Sequence, residues 1–177
     1  MKIIGFNGES RSGKTTAAGM VSDTVLSFAA PFKSMLRQLY RDNGLDEVEI
    51  ERRIEGDLKD TPDRLFANRT PRDMMIWLGQ SGRKQVYPEI WVNTVRSQLT
   101  TLLDNGHAGF VSISDVRQAN EAEMIWSLGG VVIRLVGRGL HSGDAADNSN
   151  FLADEIWVNS GSLDDLRREV ELLKSNL

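Results

Sequence analysis

Apolar residues in this chain come in short runs that alternate with stretches of helical spacing. Lys2 to Phe6 is a brief apolar run closed by Asn7–Gly8, the signature of a buried strand. Gly13 to Val21 follows as a helix. Val25 to Ala29 is a second apolar run, and "APFKSMLRQLY" predicts a helix with Pro31 in its first turn. From Asp42 to Asn68 the chain turns strongly charged. There "DEVEIERRIEG" reads as a solvated helix, "DLKDTPDRLFANR" has no clear period and reads as loop, and the whole suits an inserted, mobile segment.

Thr70–Pro71–Arg72–Asp73 starts the next helix, with a capping hydroxyl, a proline at the first helical position and an acid three residues on. It is expected to run to about Leu78. A longer helix starts near Pro88, with Trp91, Val92, Val95, Leu99, Leu102 and Leu103 on one face, and ends at Asn105–Gly106. Phe110 to Ser114 is a strand, Glu121 to Leu128 a helix stopped by Gly129–Gly130, and Val131 to Val136 a strong β run. Gly137 to Asn150 is loop-like. Glu155 to Val158 is the last strand, and Ser162 caps a closing helix with Leu163, Leu166, Val170 and Leu173 inward. Strands alternating with helices predict an α/β fold, a mainly parallel sheet covered on both faces.

The chain has 177 residues, of which 40% are apolar, so one domain with a sizeable core is expected. It has no cysteine, which excludes disulfides, zinc–thiolate sites and thiol nucleophiles. The formal net charge of −4, without a long basic run, argues against a duplex-binding surface. No stretch approaches the roughly eighteen apolar residues of a membrane span, and the first apolar run is too short for a secretory signal. The chain therefore reads as soluble and cytoplasmic, with neither nucleic acid nor membrane as partner. The 42–68 region and the Trp-bearing surfaces are where a homodimer would form.

Candidate chemistry begins at Gly8. Gly8-Glu9-Ser10-Arg11-Ser12-Gly13-Lys14-Thr15 fits G-x-x-x-x-G-K-[ST], between a strand and a helix. The glycines let the backbone turn around an anion, and the amides of Ser10 to Thr15 would point inward at the positive end of the helix. Lys14 would reach the β- and γ-phosphates, and the Thr15 hydroxyl would hold Mg²⁺. Glu9 either faces solvent or adjusts the loop's charge. The loop alone serves kinases, GTPases and motor ATPases alike.

Other residues narrow the class. No N-K-x-D motif is present, which argues against a GTPase. The strand at Phe110 ends in "SISDVR", one acid followed two residues later by an arginine, rather than in adjacent acids. Asp115 would anchor Mg²⁺ through water, accept the acceptor's proton, or cap the next helix. Arg117 would neutralise the moving phosphoryl group or form a surface ion pair. Arg83 and Arg138 are candidates by place, because phosphoryl transfer draws on loop arginines. Trp91 is either core or a base-stacking residue. Phe28, Phe32 and Trp77 are core by default, and His107 and His141 have no partner at ligand spacing.

With these pieces the chain resembles the deoxynucleoside monophosphate kinases of tailed bacteriophages, relatives of the nucleoside monophosphate and dephospho-CoA kinases. The resemblance rests on "GESRSGKTTAA", "SFAAPFKSML", "TPRDMMIWLGQSGRKQVYPEIWVNTV", "SISDVRQANEAEMIWSLGGVVIRLV" and "IWVNSGSLDDLRREV". It implies a three-layer α/β/α P-loop fold with a helical acceptor-binding part at about residues 30–105 and a short lid-like loop at about 137–152. It implies ATP with Mg²⁺ as donor and a deoxynucleoside monophosphate as acceptor, in host cytoplasm if phage-encoded. Gly8, Ser10, Arg11, Ser12, Gly13, Lys14, Thr15 and Thr16 would hold the ATP phosphates, and Asn159, Gly161 and Ser162 would lie near adenine. Phe28, Arg72, Trp91, Asp115, Arg117 and Glu121 would face the acceptor. Arg83 would contact phosphate and Arg138 would be a lid arginine. The alternatives are another small-molecule kinase, such as a dephospho-CoA kinase-like enzyme, and a nucleotide-binding ATPase without a small acceptor.

Overall fold

A computed structural model describes residues 1–137 and 151–176. The chain forms two compact units, Met1–Phe28 with Val95–Leu177, and Ala29–Thr94.

The first unit is built on five parallel strands: β1 (Lys2–Gly8), β2 (Val25–Leu26), β3 (Phe110–Ile113), β4 (Val131–Val136) and β5 (Glu155–Val158), in the order β2-β3-β1-β4-β5. β1 lies at the centre, with Lys2 opposite Phe110 and Gly8 opposite Leu135. Alternation along the central strands sends Ile4, Phe6, Ile133 and Leu135 to one face. There they pack with Trp157 against α1 (Lys14–Val21) and α7 (Leu163–Asn176). The other face of β1 meets α6 (Ala119–Ser127) so closely that a Cβ on Gly5 would stand 2.6 Å from the Ile125 side chain. Helices thus cover both faces, as alternating strands and helices predict. α6 starts two residues before the expected Glu121, because Gln118 and Glu121 form a reciprocal capping box. On α7, Leu166, Val170 and Leu173 are buried, but Leu163 is 57% exposed. The helix has only begun there, and the inward stripe starts a turn later.

The second unit contains α2 (Ala30–Asp42), α3 (Glu47–Ile54), α4 (Pro71–Ser81) and the start of α5 (Ile90–Asp104). Phe32, Leu36 and Tyr40 recur every four residues on α2 and pack with Ile50, Ile54, Met75 and Trp91. The charged 42–68 stretch is not solvated throughout. α3 buries Ile50 and Ile54, and a short 3₁₀ turn, Arg64–Phe66, interrupts the following loop. The Tyr40 hydroxyl and Arg53 Nε both donate to Asp63 Oδ2, at 2.9 and 3.1 Å. Burial, with the Asp63 carboxylate beside it, pushes the Tyr40 hydroxyl well above its ordinary range. α4 opens with the expected box: Asp73 N–H donates to Thr70 Oγ1 at 3.1 Å, and Thr70 N–H to Asp73 Oδ2 at 3.0 Å. It continues past Leu78 to Ser81 and loosens into a π-helical turn, Gly82–Val86. On α5, Trp91, Val92, Val95 and Leu99 are buried, whereas Leu103 is 50% exposed, near the helix end. Among the described residues no helix is long and apolar enough to cross a membrane.

Candidate active site

β1, the central strand, delivers the chain to Gly8 at its carboxyl end, where open α/β sheets place ligands. Gly8 has φ +140°, and a Cβ there would stand 2.4 Å from the Leu135 carbonyl oxygen. Gly13 has φ +101°, and its Cβ would stand 2.4 Å from Asn159 Nδ2. Both positions therefore demand glycine for conformation and for space. α1 begins at Lys14 with no side-chain cap from Gly13. Its first N–H groups have no intrahelical acceptor, so this end of the helix favours an anion.

Lys14 is 8% exposed, and its ammonium donates to the carbonyls of Gly8 at 2.7 Å and Glu9 at 2.5 Å. The lysine thus lies back across its own loop. Ser12 N–H donates to Glu9 O at 3.2 Å. Ser12 Oγ is buried without a hydrogen-bond partner among the described residues, the kind of orphaned group that an incoming oxyanion satisfies. Ser10 is half-buried, whereas Arg11, Thr15 and Thr16 are exposed. A cavity of about 290 Å³ opens between the loop and the end of β4, bordered by Glu9, Ser12, Arg134 and Gly137. A larger depression of about 700 Å³ runs along α7 beside Arg167, Arg168 and Glu171, on exposed residues remote in sequence from the loop. The loop cavity is bordered by residues of the glycine-rich motif and by Arg134.

The Asp-Val-Arg segment follows β3. Asp115 accepts from the Ser27 hydroxyl at 2.7 Å through Oδ2 and from Phe28 N–H at 2.8 Å through Oδ1. Its carboxylate therefore holds the chain leaving β2, and Phe28 itself is buried. The N–H groups of Arg117 and Gln118 donate to Glu121 Oε2 at 2.7 and 3.0 Å, and Glu121 is 1% exposed. Glu121 thus shapes the backbone beneath Arg117. Asn7 Nδ2 donates to Val116 O at 2.8 Å, and Val116 N–H to Phe6 O at 3.0 Å. The segment is docked on the strand that carries the phosphate loop.

After β5, Asn159 is buried and its Nδ2 donates to Ser12 O at 2.8 Å. Gly161 is closely approached by the Asp165 carboxylate, which accepts from Ser162 N–H and Oγ–H at 2.7 Å each. These bonds hold the Asp165 carboxyl below the usual range.

Within the second unit, Trp91 Nε1 and Arg83 Nη1 donate to one acceptor, the Gly79 carbonyl, at 2.9 and 3.1 Å. Trp91 is 4% exposed and packs edge to face on Phe32, with ring centres 5.2 Å apart, so here it is a core residue. Trp77, expected in the core, is exposed. Arg72 pairs with Asp60. Arg138 and His141 lie outside the described residues.

Sequence reasoning missed three residues. Arg134 borders the loop cavity, and its only signal was a lone cation within the apolar run Val131–Val136. Asn7 carried a signal only as the polar end of a strand. Lys59 is half-buried, and burial, with Lys33 and Arg72 nearby, lowers its ammonium's affinity for the proton. Nothing local marks it.

Among the described residues no three His, Asp or Glu side chains converge as an all-protein metal site. A Mg²⁺ carried largely by triphosphate oxygens needs only one or two protein ligands, and the Thr15 hydroxyl, on the first turn of α1, fits that lesser role.

No family model matches the chain. It is 30% identical over 188 aligned positions to a protein of Acanthamoeba polyphaga mimivirus named "Putative deoxynucleotide monophosphate kinase", and the match covers 96% of this chain and 94% of the viral one. The fold is shared with the crystal structure of TT1252 from Thermus thermophilus, at a TM-score of 0.54 and 20% identity, covering 99% of this chain and 97% of that one. The parallel five-stranded sheet, its helical layers and this likeness make the fold P-loop NTPase-like. On the viral relative, the chain belongs to the deoxynucleotide monophosphate kinase family.

Proposed function

We propose that the protein transfers the γ-phosphoryl group of ATP to a deoxynucleoside monophosphate, giving a diphosphate and ADP, as the phage enzymes it resembles would. The observation that carries this reading is the phosphate loop. An uncapped helix start, two glycines whose side-chain space is already taken, a buried lysine and an unsatisfied Ser12 hydroxyl converge there.

In this reading an oxygen of the acceptor phosphate forms a bond to the γ-phosphorus, and the bond from that phosphorus to the β,γ-bridging oxygen breaks. The electron pair leaves with ADP. The acceptor phosphate is already ionised, so no general base is required. Lys14 exchanges its bonds with Gly8 O and Glu9 O for the β- and γ-phosphates. The α1 amides and Ser12 Oγ surround the phosphates as donors already in place. Thr15 would hold Mg²⁺, which would supply neutralisation of charge on the phosphate oxygens. Arg117, on a backbone shaped by Glu121, meets charge on the transferring group. Asp115 is assigned to placing the segment on the acceptor side, through Ser27 and Phe28.

A coupled ADP-release assay tests the proposal, with ATP against dAMP, dGMP, dCMP, dTMP, their ribo forms and dephospho-CoA. Turnover dependent on a deoxynucleoside monophosphate is expected. ATP hydrolysis indifferent to every monophosphate, or a response to dephospho-CoA alone, sinks it.

A further inference from the structure

We infer that Asn159 is a positioning residue for the phosphate loop, a brace that holds the loop open toward its anion from behind. The inference rests on the kinase reading only where nucleotide binding is the readout.

A loop that turns its N–H groups inward to an anion must turn carbonyls outward, and a buried carbonyl needs a donor. Ser12, which is fully buried, has its carbonyl in that position. Its donor comes from the other end of the sequence: Asn159 Nδ2, at 2.8 Å. The amide is itself fixed. Asn159 is 8% exposed, and its backbone N–H donates to Val136 O at 2.8 Å, extending the β4–β5 ladder by one bond. The side chain therefore projects from the sheet edge, not from a free loop.

The fit on the loop side is equally close. The space a Cβ of Gly13 would fill lies 2.4 Å from Asn159 Nδ2. Gly13 is thus required partly because the asparagine stands there. Each residue explains the other: glycine admits the amide, and the amide holds the carbonyl one residue earlier. The resemblance would place Asn159 near adenine. The contact with Ser12 adds a role on the phosphate loop, exerted through the backbone.

Asn159→Asp keeps the shape but cannot donate, and it sets a carboxylate oxygen against the Ser12 carbonyl. With a buried bond lost and an acceptor left unmatched, affinity for MgATP should fall about tenfold or more. The KM for the acceptor should stay within about twofold. In nucleotide-free protein, amide hydrogen exchange should quicken at residues 9–15 while Ile3–Phe6 of β1 keep wild-type protection. Unchanged exchange in the loop overturns the proposal, and so does quickened exchange spread evenly over the first unit. Should Asn159→Asp not fold, Asn159→Ala is read in the same way, and failure of both to fold overturns it too. Exchange needs no nucleotide. A loosened loop in the variant, with no phosphoryl transfer by the wild-type protein, upholds the brace and sinks the kinase reading, whereas wild-type transfer with an unchanged loop in the variant does the reverse.

Discussion

The side-chain amide of Asn7 donates to the Val116 carbonyl at 2.8 Å, across 109 positions of sequence. Asn7 is the last residue before the phosphate loop, and Val116 lies between Asp115 and Arg117. One buried bond therefore ties the donor loop to the segment proposed to face the acceptor. Asn7→Ala leaves that carbonyl short of a donor and should cost about 1–3 kcal/mol of stability. Urea unfolding measures the cost. The proposed coupling adds a fall in turnover at saturating ATP, and a fully stable variant with wild-type turnover counts against it.

Lys14→Ala removes an ammonium that lies across the loop. Turnover should drop by about two to three orders of magnitude, the scale for losing a preorganised donor at developing charge. The carbonyls that Lys14 meets, those of Gly8 and Glu9, belong to its own loop, and the fold should survive. A cooperative melt together with retained ADP release would be fatal to its assignment.

Arg117 and Glu121 should separate in their effects. Arg117→Ala should lower kcat more than affinity for ATP. Glu121→Ala should do that and also destabilise the protein, by about 1 kcal/mol or more, because two partly buried N–H groups lose their acceptor. Glu121→Gln keeps an acceptor oxygen and should recover most of the stability. If Glu121→Gln instead raises the acceptor KM selectively with stability intact, Glu121 touches substrate.

The Thr70–Asp73 box adds a pH dependence. Bonds from the Thr70 backbone and side chain hold the Asp73 carboxyl below its ordinary range. The folded state thus releases this proton more readily than the unfolded state. The contribution is complete above the unfolded carboxyl's ordinary value of about 3.9 and is lost as pH falls through the lower folded value. Asp73→Asn should flatten that part of the acid limb of stability, and Thr70→Ala should cost about 1 kcal/mol at neutral pH. Urea midpoints between pH 2 and 7 report both, the range being set by that roughly 3.9 reference.

What could be read from sequence was what local chemistry dictates. The phosphate loop needs its glycines, lysine and hydroxyl at set spacing, and Thr70 and Asp73 cap within four residues. Strand runs such as Val131–Val136 were legible for the same reason. Periodicity misled where a helix outruns the surface it packs on, as at Leu103, and where the helix has only begun, as at Leu163. Long-range bonds left no local trace. Nothing around Asp115 foretells that its oxygens bind Ser27 and Phe28, 88 and 87 positions earlier. Nor does anything near Gly13 reveal that Asn159 stands against it. Nor does spacing reveal that the Trp91 indole is buried and bonded to the Gly79 carbonyl.

The central place of β1 governs the order in which the site can be made. Ile3, Ile4 and Phe6 leave the ribosome ahead of their neighbours in the sheet, which lie at Val111–Ile113 and Val131–Leu135, roughly a hundred residues later. The nascent chain therefore carries an unpaired apolar strand and a slack phosphate loop until those partners emerge, exposed to aggregation. Ser12 cannot meet its donor until Asn159 has emerged. An amino-terminal fragment ending before β5 would hold every residue of the loop motif and still lack the means to keep it in shape.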